Sequence, residues 1–221
     1  MFDTIAPRYD LVNKLMTLGL DARWRSRAVT LLSLGPGAVV LDLACGTGDL
    51  CRELAWRGQH AVGVDLSLGM LQHAWRGAPL LQADAVSLPL RDGAVDGVVS
   101  GFALRNFADL GAMLAELGRV LRSHGRISFL EVSEPASPLL RAGHSVWFRH
   151  VVPLIGAAFS DAASYRYLPE SVAYLPSAEE MDGMLAAAGF ADVRRYDLSG
   201  GIVRILTATR RGRQDGVEEA A

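Results

Sequence analysis

The sequence predicts an α/β fold: a doubly wound, mostly parallel seven-stranded sheet with helices on both faces. Three observations predict it. Short runs rich in Val and Leu recur at 39–44, 61–65, 80–84, 95–102 and 125–131. Helical stretches separate most of these runs, which is the rhythm of parallel strands joined by crossovers. The connections are short and must be right-handed, which makes a doubly wound sheet the natural topology.

Each element follows in order. Residues 1–35 read as a helical cap, with Leu11, Leu15, Leu18 and Leu20 near helical spacing. The β-branched run 39–44 is a buried first strand. A turn at Gly46-Thr47-Gly48 leads into a helix over 49–57. The second strand, 61–65, ends on Asp65, and Ser67 caps a helix running through Met70 to Ala74. Residues 80–84 and 95–102 are the third and fourth strands. An amphipathic helix over 110–121 precedes the fifth, at 125–131. Residues 136–178 break the rhythm with Pro138, Pro153, Pro169 and Pro176, as an insertion covering one end of the sheet would. A helix over 179–188 and strands near 193–198 and 203–208 complete the pattern, and 210–221 read as a frayed, disordered tail. One domain over 1–209 accounts for the whole.

Composition narrows the function. Of 221 residues, 50% are apolar and 21% charged, so the chain is globular. Its formal net charge of −2 argues against a nucleic-acid partner held by a global basic field. Two cysteines, Cys45 and Cys51, are too few for a disulfide framework or a four-cysteine zinc site, and no metal is expected. The start, Met1-Phe2-Asp3-Thr4, lacks the basic and apolar regions of a signal peptide. No apolar run approaches the ~20 residues of a membrane span, so a cytoplasmic address is expected.

The strongest local signal is Leu41-Asp42-Leu43-Ala44-Cys45-Gly46-Thr47-Gly48. A glycine turn after the first strand lets a ligand approach the backbone, and the next helix offers free N–H groups. Asp65 lies 19 residues after Gly46, where a carboxylate can take both hydroxyls of a ribose. Asp84, ending the third strand, is placed to accept from an adenine amino group. Two cofactor classes fit this much. A nicotinamide dinucleotide asks for G-x-G-x-x-G, and here Cys51 stands at the third glycine. An adenosyl ligand without a pyrophosphate fits better.

The turn D-x-A-C-G-T-G resembles the first motif of class I S-adenosylmethionine-dependent methyltransferases, in which the acid after the second strand binds ribose and the acid near the third lies by the adenine. A longer ordered set is more specific. It comprises Phe2-Asp3-x-Ile5-Ala6-Pro7-x-Tyr9-Asp10-x-x-Asn13, Gly19, Trp24-Arg25, Leu104-Arg105-Asn106, Glu131-Val132-Ser133-Glu134-Pro135, Tyr165-x-Tyr167-Leu168-Pro169-x-Ser171, Ala188-Gly189-Phe190 and Gly200-Gly201-Ile202-Val203. This set resembles the ubiquinone/menaquinone C-methyltransferases, which methylate polyprenyl quinol rings, over roughly residues 2–208.

The resemblance implies a Rossmann-like methyltransferase fold and S-adenosylmethionine as donor, released as S-adenosylhomocysteine. Its cofactor residues are Asp42, Cys45, Gly46, Thr47, Gly48, Asp65, Leu66, Met70, Asp84, Ala85 and Gly101, with Met70 against the adenine ring. On the acceptor side it implies Tyr9, Arg105 and Asn106. The acceptor is a lipophilic quinol, or alternatively a soluble small phenol. A peripheral membrane contact through the apolar stretch 146–159 and a homodimer are left open. The chain departs from the family at Cys45, often Gly; at Ala103, usually Gly; at Asp21, often His; and at Leu206, commonly His. Carbon methylation needs an electron-rich ring carbon, which a quinol supplies when a hydroxyl loses its proton. A phenol titrates near pKa ~10, so the site must favour the phenolate. Arg105 suits that electrostatic task but is no proton acceptor. Tyr9, His144, His150 or a water are the candidate bases. A bland role for Arg105 is a surface pair with Asp109.

Overall fold

A computed structural model of the chain describes residues 9–147 and 175–212, excepting the side chains of Tyr9, Asp10 and His144. The described helices are α1 (Tyr9–Met16), α2 (Asp21–Leu32), α3 (Asp49–Trp56), α4 (Leu68–His73), α5 (Leu110–Val120), α6 (Pro138–Val146) and α7 (Ala178–Ala187). The strands are β1 (Val39–Leu43), β2 (His60–Asp65), β3 (Leu80–Gln82), β4 (Val95–Gly101), β5 (Leu121–Val132), β6 (Phe190–Leu198) and β7 (Val203–Arg210). They form one seven-stranded sheet in the order β3-β2-β1-β4-β5-β7-β6, so the predicted α/β architecture is the one observed.

β1 to β5 pair in parallel, and β7 enters antiparallel between β5 and β6. The chain order reverses at β1, where β2 leaves to one side and β4 to the other, and ligands bind outside the carboxyl ends of strands at such a switch point. Two buried layers sandwich the sheet. Leu41, Leu43, Val98 and Phe129 pack with Met113, Leu114 and Leu117 of α5 and with Leu185 of α7. On the other face Val40, Val99 and Leu130 meet Ala28 and Leu32 of α2 and Leu50, Cys51 and Leu54 of α3. Residues at alternate positions on a strand thus serve opposite layers, as the pleat requires.

Several boundaries differ from those expected, each for a local reason. β3 stops at Gln82, opposite the last residue of β2, and Asp84 turns the chain by accepting the Val86 amide and bridging to Ser87. β5 starts four residues early, because Leu121 already pairs with Val95. A register shift and His124 at φ +65° then bring Arg126 opposite Gly97. β7 continues into the expected tail. Arg210 pairs with Phe190, and its guanidinium donates to the Gly118 and Gly189 carbonyls at 2.8 and 3.1 Å. Of the expected insertion, residues 136–147, which include α6, and residues 175–178 are described. Its remainder, with Pro153, Tyr165, Tyr167 and Pro169, and the tail from 213 onward lie outside the described residues.

Candidate active site

The switch point is built from the turn between β1 and α3. Glycines are required here for conformation as well as access: Gly46 and Gly48 adopt φ +55° and +83°, which side chains with a Cβ rarely tolerate. Ala44 shares the left-handed region at φ +54°, so the turn concentrates unfavourable backbone where a ligand would lie. A Cβ built on Gly46 meets no heavy atom within 4 Å, so the space above the turn is open. Gly48, the residue before α3, accepts the Arg52 amide at 2.9 Å and donates its own to the Cys45 carbonyl at 2.8 Å.

Asp65 locks this turn from β2. One carboxylate oxygen accepts the Gly46 amide at 2.8 Å and the other the Ser67 amide at 2.8 Å. The carboxylate expected to take ribose hydroxyls is therefore preorganised by the turn itself. Ser67 caps α4 as expected, accepting the Met70 amide at 3.1 Å. Met70 is buried, whereas Leu66 is 66% exposed at the end of β2. Asp84 is exposed, Ala85 and Thr47 are buried, and the Thr47 carbonyl accepts the Trp75 amide at 2.9 Å. Gly101 ends β4, where a Cβ would stand 3.2 Å from Leu50 Cδ1.

Asp42 has a different setting from the other acids. Its strand position points it into the α3 layer, where it is 1% exposed. One oxygen accepts the Cys51 amide at 3.0 Å, while Oδ1 is buried with no hydrogen-bond partner. Burial pushes its pKa up to about 7 against the partial opposition of Cys51 and Arg25. Asp42 thus acts beneath the turn, supporting α3. The Cys51 thiol faces the Cys45 thiol, and that contact together with burial raises its pKa, so it stays protonated. Cys51 is fully buried against Gly63 of β2, which explains why this helix carries a small thiol at the position of a third glycine.

Arg105 is not paired with Asp109. Asp109 caps α5 by accepting the Ala112 amide at 2.8 Å. Instead Arg105, in a 3₁₀ turn after β4, donates through Nη1 to Glu131 at the end of β5. Both side chains are only 7% exposed. Glu131 Oε1 also accepts the Val132 amide at 2.9 Å, while Glu131 Oε2 and Arg105 Nε are buried and without hydrogen-bond partners. Asn106 is exposed beside this pair. A cleft of about 340 Å³ runs along the carboxyl end of β5, lined among others by Leu104, Phe129, Glu131, Met181 and Leu206. The side chains of Tyr9 and His144, and all of His150, lie outside the described residues.

Sequence reasoning quoted Glu131 only within the family motif and gave it no role, although a carboxylate inside a strand covered on both faces is itself a signal. It also missed the role of Asp21. That carboxylate accepts from Thr17 Oγ1 at 2.9 Å and pairs with Arg25, which reaches Asp49 of α3 at 3.1 Å. Asp21 thus ties the helical cap to the start of α3 and is occupied by these partners. The cap meets the sheet through Trp24, set edge-on to Phe102 at 6.3 Å and donating to Ser199 at 2.9 Å.

Among the described residues no group of His, Cys, Asp or Glu is arranged to hold a metal, and no helix is long and apolar enough to cross a membrane. The open space over Gly46, with Asp65 holding the turn from the next strand, fits an adenosyl group.

Comparison with known proteins adds family evidence. Residues 1–210 match the ubiE/COQ5 methyltransferase family. The chain is 43% identical over 222 residues to the ubiquinone/menaquinone biosynthesis C-methyltransferase UbiE of Syntrophotalea carbinolica, covering 95% of this chain and 92% of that relative. It is 44% identical over 220 residues to the demethylmenaquinone methyltransferase of Thermus thermophilus, covering 95% of this chain and 100% of the relative. Among solved structures, an S-adenosylmethionine-dependent methyltransferase from Aquifex aeolicus aligns with a TM-score of 0.60 at 17% identity, covering 84% of this chain and 88% of that one. The [4+2]-cyclase SpnF aligns with a TM-score of 0.68 at 16% identity, covering 96% and 94%. Likeness at that level carries the fold alone, since one fold hosts several chemistries.

Proposed function

The chain belongs to the ubiE/COQ5 methyltransferase family and is an S-adenosylmethionine-dependent methyltransferase; from that premise we propose that it methylates a ring carbon of a demethylated polyprenyl quinol in respiratory quinone biosynthesis. The observation that carries the reading is a juxtaposition. The glycine turn clamped by Asp65 and the buried Arg105 stand at the carboxyl ends of the neighbouring strands β1 and β4, with a cleft along the end of β5.

Bound S-adenosylmethionine supplies an electrophilic methyl group. In the proposed site, Gly46, Thr47 and Gly48 form the floor, Asp65 holds the ribose, and Met70 lies along the adenine with Asp84 and Ala85 at its edge. Arg105 places positive charge beside the acceptor oxygen and Asn106 orients it. Leu104, Phe129, Met181 and Leu206 give the cleft an apolar side for a ring, and Arg195 and Arg204 line it as well. Transfer then depends mainly on alignment of ring carbon, methyl and sulfur.

We further propose a peripheral membrane contact, since the acceptor is a lipid. α1 exposes Leu11 and Leu15, Leu18 is exposed in the turn that follows, and α6 exposes Leu139, Leu140 and Val146. Trp147 Nε1 joins the ends of the two helices by donating to the Met16 carbonyl at 3.2 Å.

One incubation tests the reaction. Purified protein is mixed with S-adenosylmethionine and chemically reduced demethylated naphthoquinone or benzoquinone, and the product is analysed by mass spectrometry. One added methyl on carbon is expected, and no methylated product from either acceptor would overturn the assignment.

A further inference from the structure

We propose that Glu131 is the general base of the transfer, taking the proton of the acceptor hydroxyl on Oε2 while Arg105 holds the carboxylate through Oε1; the inference rests on the quinol reading above. Glu131 is the last residue but one of β5, and the residue before it pairs with Gly101 at the end of β4. That register sets it across from the cofactor edge of the sheet. Its side chain lines the cleft assigned to the acceptor.

The bonding pattern points the same way. A buried carboxylate ordinarily satisfies both oxygens, and an exception calls for an explanation, a catalytic role among them. Glu131 leaves Oε2 without a partner, and its neighbour Arg105 leaves Nε without one. An orphan acceptor and an orphan donor on one ion pair are the complement of a hydroxyl group, which donates and accepts at once. Glu134 also lines the cleft but is exposed, and three other acids near the switch point have different settings. Asp65 holds the Gly46 and Ser67 amides, Asp109 caps α5, and Asp42 lies under the turn in the α3 layer.

The step balances as follows. The hydroxyl O–H bond breaks and its proton passes to Glu131 Oε2, while the ring carbon bonds to the methyl and the methyl–sulfur bond breaks, sulfur keeping that electron pair. The carbon then bears both the methyl and its original hydrogen. That ring proton leaves to water, its electron pair restores the aromatic ring, and Glu131 returns its proton to the oxygen. One methyl is gained and one proton is released.

The test compares the full-length protein with its Glu131→Gln variant on a chemically reduced, short-tailed demethylated naphthoquinone and on its benzoquinone counterpart, from pH 6 to 9. The expected result is a loss of about 100-fold or more in kcat at neutral pH. Calorimetric S-adenosylmethionine affinity should stay unchanged. The residual rate should climb about tenfold per pH unit, as solution phenolate replaces the missing base. A purely structural role would not create that slope. A variant within about threefold of the parent rate, with the parent's pH profile, overturns the proposal. If the glutamine variant does not fold, Glu131→Asp keeps the charge and withdraws the oxygen by one methylene. A tenfold or larger fall in kcat at unchanged donor affinity then supports the base role, and an unchanged kcat overturns it. Absence of turnover by the parent protein on either quinol instead overturns the functional reading, and this inference falls with it.

Discussion

Asp65 accepts the Gly46 amide at 2.8 Å, so the last residue of β2 clamps the turn that follows β1. A carboxylate bonded to backbone N–H groups on both oxygens cannot swing away, which preorganises it for a ligand. Replacing it by alanine removes both the proposed ribose anchor and the clamp. A hydrogen bond to a charged group contributes about 1.5–3 kcal/mol, so calorimetry on Asp65→Ala should show S-adenosylmethionine affinity reduced by about tenfold to a hundredfold or more. Unchanged affinity would remove Asp65 from the cofactor site.

Asp42 should make stability depend on pH. Its folded pKa of about 7 lies above the ordinary 3.8, because burial disfavours the charged form. The native state therefore keeps a proton that the unfolded chain has lost. This contribution is full below the unfolded value, declines as pH rises, and is gone above the folded value. Asp42→Asn carries no such proton, so it should gain about 2–3 kcal/mol on the parent protein between pH 5 and pH 8. Denaturant unfolding at the two pH values measures this, and a difference that does not change with pH would contradict it.

The sheet and its glycine turn were legible in the sequence because both are local. A β-branched run followed by Gly46 and Gly48 leaves the backbone few alternatives, and Ser67 announces the start of α4 within four residues of the Met70 it caps. Glu131 and Arg105 were not legible as a pair. They lie 26 residues apart, and only the parallel register of β4 with β5 brings them together. The extension of β7 to Arg210 escaped notice for the same reason. A basic residue before a charged tail reads as exposed, until the Gly118 and Gly189 carbonyls show what the guanidinium holds.

The Arg105–Glu131 pair should show strong coupling in a double-mutant cycle. Removing one partner leaves the other charge buried, which typically costs about 3–5 kcal/mol. Arg105→Leu should therefore lower the melting temperature by about 10 °C, since each kcal/mol shifts a domain of this size by roughly 2–4 °C. Adding Glu131→Leu removes the stranded charge, and the double variant should regain most of the loss while remaining inactive. Simple additivity of the two losses would mean that the ion pair is not formed in solution.

Gly63 tests how tightly the floor of the site is packed. A Cβ there would lie 2.8 Å from Leu80 Cδ2, 2.9 Å from Cys45 Sγ and 3.1 Å from Cys51 Sγ. Gly63 is buried in β2, paired with Asp42 of β1 on one side and Leu80 of β3 on the other, so the strand has little room to move. Overpacking of this kind costs about 1–3 kcal/mol, and Gly63→Ala should lose that much in denaturant unfolding. Any shift of β2 also displaces Asp65 two residues on, so donor affinity should weaken in parallel. Adding Cys45→Ala removes the nearer sulfur and should restore part of both losses, because the two effects share one contact. Recovery of stability without recovery of affinity would separate the packing of β2 from the placement of Asp65.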